Sequence, residues 1–320
     1  MTDFCILGSG VAGSTIASLL KKRYSVHVIE KARGPGGRAS NKKLTKNFNF
    51  DHGVQYISPK SQIFTKYINK LVKKKLFKKW EGNHLDFTLE KKIKSNKFIG
   101  KKANNDFIKY QLKKIKKTFN RQIIKIERKN KTWEVTLNDK SKYFYKSIIL
   151  TCPFPQLKKL AKKYLEKKLM NLNIRMEPNI TTMIAIKNQN LAPVSSLKFN
   201  DNILAWASHE NSKKRFNTTS SLWTLQSTTS WATKMINKYK KDKKIEDILV
   251  SKFIDLTGYK KNKIIFKKTH GWKYSYNLNG SPLKSYWNKK LRLGLCADWF
   301  IGPKVENAWL SANDLAKKIK

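Results

Sequence analysis

The chain has 320 residues, 40% hydrophobic and 12% aromatic, which supplies apolar material for a packed core and excludes wholesale disorder. Its three cysteines, Cys5, Cys152 and Cys296, form no CxxC pair, which excludes a disulfide framework and a cysteine metal site; no metal is expected, and no apolar run reaches the length of a membrane span. The net charge of +48 comes from 61 Lys and only eight Arg against 21 Asp+Glu, spread through most of the chain, which argues against a specific nucleic-acid reader built on Arg.

Asp3–Leu7 reads as a buried parallel strand, and Gly8-Ser-Gly10-Val-Ala-Gly13 follows it. No basic segment precedes this apolar stretch, so it reads as a first strand rather than a signal peptide, and a soluble cytoplasmic protein is expected. Ser14–Arg23 reads as a helix and Tyr24–Glu30 as a second strand, completing a βαβ unit. A second glycine loop, Gly34-Pro-Gly-Gly37-Arg38, comes next. The apolar spacing over 61–80 predicts one amphipathic helix, 84–99 short strands and 105–116 a helix. Arg121–Glu127 and Thr132–Leu137 read as a hairpin, Ser147–Thr151 as a buried strand and 156–168 as a basic helix. From about 175 to 285 strands alternate with turns, with helices near 230–240 and 245–256. Leu291–Cys296 is a last buried strand and Val305–Ile319 a closing helix.

The spacing of Gly8, Gly10 and Gly13 between strand and helix, with acidic Glu30 closing the next strand, is a dinucleotide-binding arrangement. The glycines allow a tight turn, close approach of a pyrophosphate and close helix–strand packing. The helix N-terminus offers free N–H groups to phosphate oxygens, and Glu30 can accept from a ribose diol. The following Gly37-Arg38 resembles the flavin fingerprint of the large FAD-binding family that includes amine oxidases and aromatic hydroxylases.

Further segments sharpen this resemblance. Phe50-Asp-His52-Gly-Val-Gln55-Tyr56 is similar to the FDHGAQYF segment of renalase-like NAD/FAD-dependent oxidoreductases. Phe98–Asn105, Ile148–Pro155, Trp206 with Ser212-Lys213-Lys214-Arg215, Trp223–Thr228, His270-Gly-Trp272-Lys273-Tyr274 and Gly294–Ser311 resemble its other segments in order. Lys214 stands where proline is usual, Gln226 where histidine is usual, and Lys273 where arginine is.

The resemblance implies an α/β (α+β) fold, a Rossmann-type FAD-binding domain with an inserted sheet-rich substrate domain. Residues 1–60, 100–170 and 286–320 are assigned to the first, and 61–99 with 171–285 to the second. It implies non-covalent FAD, held by Gly8, Gly10, Gly13, Glu30, Lys31, Gly37, Arg38, Ile124, Asp298, Val305 and Glu306. Candidate catalytic residues are His52, Gln55, Tyr56, His270 and Trp272; His52 either faces the flavin or serves its loop, and His270 and Trp272 either line a pocket or pack across strands. Trp223, Trp299 and Cys296 read as core, and His27 as a hydrogen-bonded strand residue.

The implied reaction transfers hydride from a small substrate to flavin N5 and electrons to oxygen. Aberrant dihydronicotinamide isomers of NAD(P)H, anionic dinucleotides, suit the basic surface. A flavin amine oxidase acting on a small amine is the alternative. A Lys-rich, non-specific nucleic-acid-binding Rossmann-like protein is the alternative of another class. The sequence sets no oligomeric state.

Overall fold

The computed structural model describes residues 1–44, 48–88, 91–92 (backbone only), 96–187 and 194–319. The chain divides into two compact units: residues 1–38, 105–176 and 276–320 form the first, and 39–104 with 177–275 the second. The described residues of 39–60 and 100–104 thus belong to the second unit.

In the first unit, Thr2–Leu7 lies between Val26–Ile29 and Lys142–Leu150, parallel to both. Phe4, Cys5, Ile6, Val28, Ile148 and Ile149 are all buried, as a strand covered on both faces requires. Lys142–Leu150 is longer than the expected 147–151. Its first half pairs antiparallel with Thr132–Leu137, and Ile148–Leu150 pairs parallel with Leu293–Leu295. Lys116–Thr118, within the expected helix 105–116 and just beyond it, is instead a short strand beside Val26–Ile29, and that helix is only Asp106–Gln111. The helix Val11–Leu20 packs on Val305–Lys318 and on Asp106–Gln111. A core cluster against the sheet gathers Trp133, Tyr145, Phe154, Leu157, Trp299 and Phe300. Trp299 is stacked on Phe300 at 3.9 Å and Cys296 is fully buried, so both are core.

The second unit is a seven-stranded sheet in the order Ile264–Asn277, Met176–Ile186, Ser221–Ser227, Leu204–His209, Val194–Lys198, Asn83–Asp86, Lys91–Lys92. Side chains alternate between its faces. Ile180, Ile184, Trp223 and Leu225 pack with Leu249 and Phe253 of the helix Lys244–Thr257, whereas Met183, Ala185 and Leu222 pack with Phe50. Trp223 is core, stacked on His209 at 4.5 Å.

The helix expected over 61–80 spans only Gln62–Lys73. Lys75 takes a left-handed φ of 55°, and Phe77–Lys79 then pairs antiparallel with Phe98–Gly100. A run of lysines has good helix propensity, but strand pairing with a distant segment overrides it. Of the expected strands over 84–99, residues 89–90 and 93–95 lie outside the described residues. Among the described residues no helix is long and apolar enough to cross a membrane.

Candidate functional site

The candidate cofactor residues all fall in the first unit. The first strand ends at Leu7; at Gly8 φ is +98°, and the chain turns into the helix Val11–Leu20. Gly13 lies so close to the Gly8 carbonyl that a Cβ would overlap it. Gly10, the N-cap, has no capping side chain, and the first turn carries no acid. The first intrahelical bond is Ser14 N to Gly10 O at 2.9 Å, so the N–H groups of Val11, Ala12 and Gly13 precede the ladder. That end of the helix is complementary to an anion.

The second glycine loop crosses this turn. Gly36 N donates to Ser9 O at 3.0 Å, and a Cβ at Gly37 would lie 3.1 Å from the Gly10 Cα. With φ at +52°, Gly37 is held to glycine on both counts. Arg38 Nη2 reaches Asp298 Oδ1 at 2.6 Å.

Glu30 is buried. One carboxylate oxygen accepts from Ser9 N at 2.8 Å and Ser9 Oγ at 2.9 Å, and the other from Ala32 N at 2.8 Å. Three of about four lone-pair positions are taken, which leaves room for one further donor. Lys31 beside it is exposed. Arg121 N donates to Glu30 O, which brings the hairpin to this edge. Ile124 lies at a bulge between Ile123 and Lys125, so its backbone stands outside the ladder while its side chain is exposed. Val305–Lys318 starts after Lys304 with no side-chain cap, and Glu306 is buried in its first turn.

The candidate catalytic residues all fall in the second unit. Three of them meet. The His52 ring stacks on Trp272 at 5.2 Å and meets the edge of His270 at 5.1 Å, and His270 meets Trp272 at 4.3 Å. Burial, then His270 and Lys42, push the His52 imidazole down to about 3. Burial, then Lys42 and Lys240, push His270 down to about 4. Both rings are neutral at pH 7. A cleft of about 510 Å³ beside His270 is lined by Tyr239, Lys240, Lys243, Glu246 and Thr269.

Tyr56 stands apart from that group, with its ring 6.0 Å from Trp80 and 5.9 Å from Trp206, and with Lys97 Nζ 5.3 Å from its centroid. Gln55, expected among the catalytic residues, is buried and commits its amide to protein partners. Nε2 donates to Asp51 O and to Gly53 O, and Oε1 accepts from Lys213 at 3.3 Å.

Beneath this loop lies a charge cluster whose sequence signal, the Lys213–Arg215 match, carried no role. Asp51, Glu210, Lys213 and Arg215 side chains are at most 1% exposed. Lys213 Nζ lies 3.0 Å from Asp51 Oδ2 and 2.9 Å from Glu210, and Arg215 also pairs with Asp51. Burial alone would raise Asp51, but Arg215 and Lys213 hold it well below the usual carboxylate range. Glu210 is pushed up by burial, with the Asp51 charge adding to it. Lys213 lies only three residues from Glu210, but Asp51, whose N donates to Glu210, comes from a segment far along the chain, so the local sequence does not mark the cluster.

A family model for an NAD(P)-binding Rossmann-like domain matches residues 6–71. Across its length the chain is similar to a protein from Exiguobacterium sp. 255-15 provisionally named a protoporphyrinogen oxidase. The TM-score is 0.76 at 9% identity, covering 99% of this chain and 98% of that one. It is similar to putrescine oxidase bound to putrescine with a TM-score of 0.68, at the same identity and coverage. The chain has the fold of these oxidases. A triple mutant from a redesign of cofactor binding in putrescine oxidase gives a TM-score of 0.71, again at 9% identity and over 99% and 98% of the two chains. Over 53 residues, 17% of this chain, it is 45% identical to an uncharacterized protein of Methanocaldococcus jannaschii; that stretch is 14% of the relative's length. At these identities the structural likeness establishes architecture, and function rests on the site.

Proposed function

We propose that this chain is an FAD-dependent oxidoreductase that takes hydride from a small anionic substrate, in the manner of renalase-like enzymes, with dihydronicotinamide isomers of NAD(P)H as the favoured class. The observation that carries the cofactor reading is the crossing of Gly10 and Gly37 over an uncapped helix N-terminus. Side chains are missing there on both strands of the crossing, which leaves backbone N–H groups open to a pyrophosphate. The Val11, Ala12 and Gly13 amides would hold the phosphates, Glu30 a ribose hydroxyl, and the Ile124 backbone the adenine. The Arg38–Asp298 pair and the Val305–Glu306 amides would serve the flavin half. A flavin held by these residues would supply the hydride acceptor and a route for the electrons onward.

The remaining chemistry belongs to the chain. The neutral His52 and His270 rings can orient a substrate by hydrogen bonding, but imidazoles with such low proton affinity do not take up a proton at pH 7. Dihydronicotinamides suit this, since losing hydride requires no base. A protonated amine must first lose a proton. Lys42 and Lys240, which depress His270, also make the surroundings favourable to an anion. The amine reading is supported by the aromatic group Tyr56, Trp80 and Trp206, though Lys97 beside Tyr56 keeps that surface from being uncharged.

The test is the visible spectrum of the purified protein, with identification of the molecule that heat releases. A yellow protein releasing FAD, bleached anaerobically by dihydronicotinamide isomers in a salt-sensitive reaction, is expected. Bleaching by putrescine or other amines alone selects the amine oxidase reading. A colourless protein that cannot be loaded with FAD overturns the proposal.

A further inference from the structure

Five successive backbone carbonyls, Asp51 to Gln55, each accept a hydrogen bond from a side chain. Asp51 O accepts from Gln55 Nε2, and His52 O from Trp272 Nε1 at 3.0 Å. Gly53 O accepts from Gln55 Nε2 at 3.0 Å and Gln226 Nε2 at 2.9 Å. Val54 O and Gln55 O both accept from Asn104 Nδ2 at 2.8 Å. Asp51 closes the strand Asn49–Asp51, and carbonyls past a strand end ordinarily turn to water or to neighbouring backbone.

The buried cations set which way two of these amides point. Lys213 is a donor only, so its contact with Gln55 Oε1 turns Gln55 Nε2 toward the loop. Arg215 Nη2 donates to Asn104 Oδ1 at 2.8 Å, and Gly100 N to the same oxygen at 3.0 Å, so Asn104 Nδ2 must face Val54 and Gln55. Cations orient amides, and the amides with one indole hold the carbonyls.

We propose that Gln226, Asn104 and Trp272 are positioning residues, oriented in part by the buried Lys213–Arg215 cluster, that lock the 51–55 loop and so fix the His52 ring for the substrate. Gln226 aims an N–H donor at Gly53 O. The lock holds His52 with its Nδ1 buried and without a hydrogen-bond partner, its Nε2 only 3.4 Å from Ser40 Oγ. The charged and titratable groups bearing on the ring are His270, Lys42 and Asp51. The link to substrate rests on the function proposed above; the lock itself does not.

The test is ¹⁵N-histidine NMR on the full-length protein, Gln226→Leu and Gln226→His, with kcat and KM measured in parallel. In the parent, His52 should give one set of ring signals and stay neutral down to about pH 4.5. In Gln226→Leu the His52 signals should broaden or double and its titration should rise by about one unit or more as water reaches the loop. Gln226→His should restore the parent pattern. His27, bonded to Tyr145 and Thr118 in the first unit, should not move in any variant. Trp272→Phe, which keeps an aromatic ring but removes the N–H that bonds His52 O, provides the same reading if Gln226→Leu fails to fold. An unchanged His52 titration in the folded variant overturns the lock. A changed titration with unchanged kcat and KM overturns the role of His52 in turnover and leaves the cofactor reading intact.

Discussion

Asp298 Oδ1 lies 2.6 Å from Arg38 Nη2, joining the second glycine loop to the junction before the last helix across 260 residues of chain. The pair is largely buried, and Ile301 N and Gly302 N both donate to the Asp298 carbonyl at 2.8 Å, so its backbone is fixed. Removing the carboxylate leaves a partly buried guanidinium without this acceptor, at a cost of about 1–3 kcal/mol. Asp298→Ala should lower the Tm of the apoprotein by several degrees and weaken FAD binding by about tenfold or more. Fluorescence titration with FAD reads this directly; unchanged affinity would assign the pair to folding alone.

The two roles of the glycine turn, phosphate approach and helix–strand packing, separate by substitution. A Cβ at Gly10 meets nothing closer than the Gly37 Cα at 3.8 Å, and aspartate is a favoured helix N-cap. Gly10→Asp should therefore fold with undiminished Tm and yet retain no cofactor, because its carboxylate takes the place of a phosphate. Gly13→Ala should instead fail to fold, since its Cβ overlaps the Gly8 carbonyl. Soluble yield, Tm and the flavin-to-protein absorbance ratio test both; full FAD occupancy in Gly10→Asp contradicts the site.

All five histidines are depressed by burial first, His52 to about 3 and His27, His84, His209 and His270 to about 4. The unfolded chain holds these protons below about pH 6.5 while the folded chain does not. Stability therefore falls as pH drops from 6.5 toward 4, with a slope of about 1.4 kcal/mol per pH unit for each histidine fully in this window. Unfolding at pH 5 should take up several protons, measurable as a buffer-dependent calorimetric enthalpy. A Tm independent of pH between 6.5 and 4.5 would rule this out.

Lys213 bridges Asp51 and Glu210 where no water reaches. Lys213→Met leaves two buried carboxyl groups with Arg215 as the remaining cation of the group, and should cost about 3–5 kcal/mol. Removing Glu210 as well, in Lys213→Met/Glu210→Gln, keeps the Asp51–Arg215 pair and should recover part of that loss. Urea midpoints of the three proteins decide it; equal losses in the single and double variants would show that Glu210 carries no charge in the fold.

The first βαβ unit was legible in the sequence because strand, glycine turn, helix and acid lie within thirty residues, where local propensity and periodicity set the structure. The strand that aligns His270 with Trp272 was legible for the same reason, since a two-residue period needs no distant partner. Helix 61–80 was over-read because periodicity cannot register that Phe77 pairs with Gly100 or that Lys75 turns left-handed. Tertiary structure alone decided the pairing of Arg38 with Asp298, the bonds of the Gln55 amide to Asp51, Gly53 and Lys213, and the bond from Gln226 to Gly53 O. Each depends on groups brought together from segments far apart, where burial strips away water and each donor must find an acceptor. The sequence by itself determined which residues could hold a dinucleotide; the packed interior decided which side chains would hold the loop that carries His52.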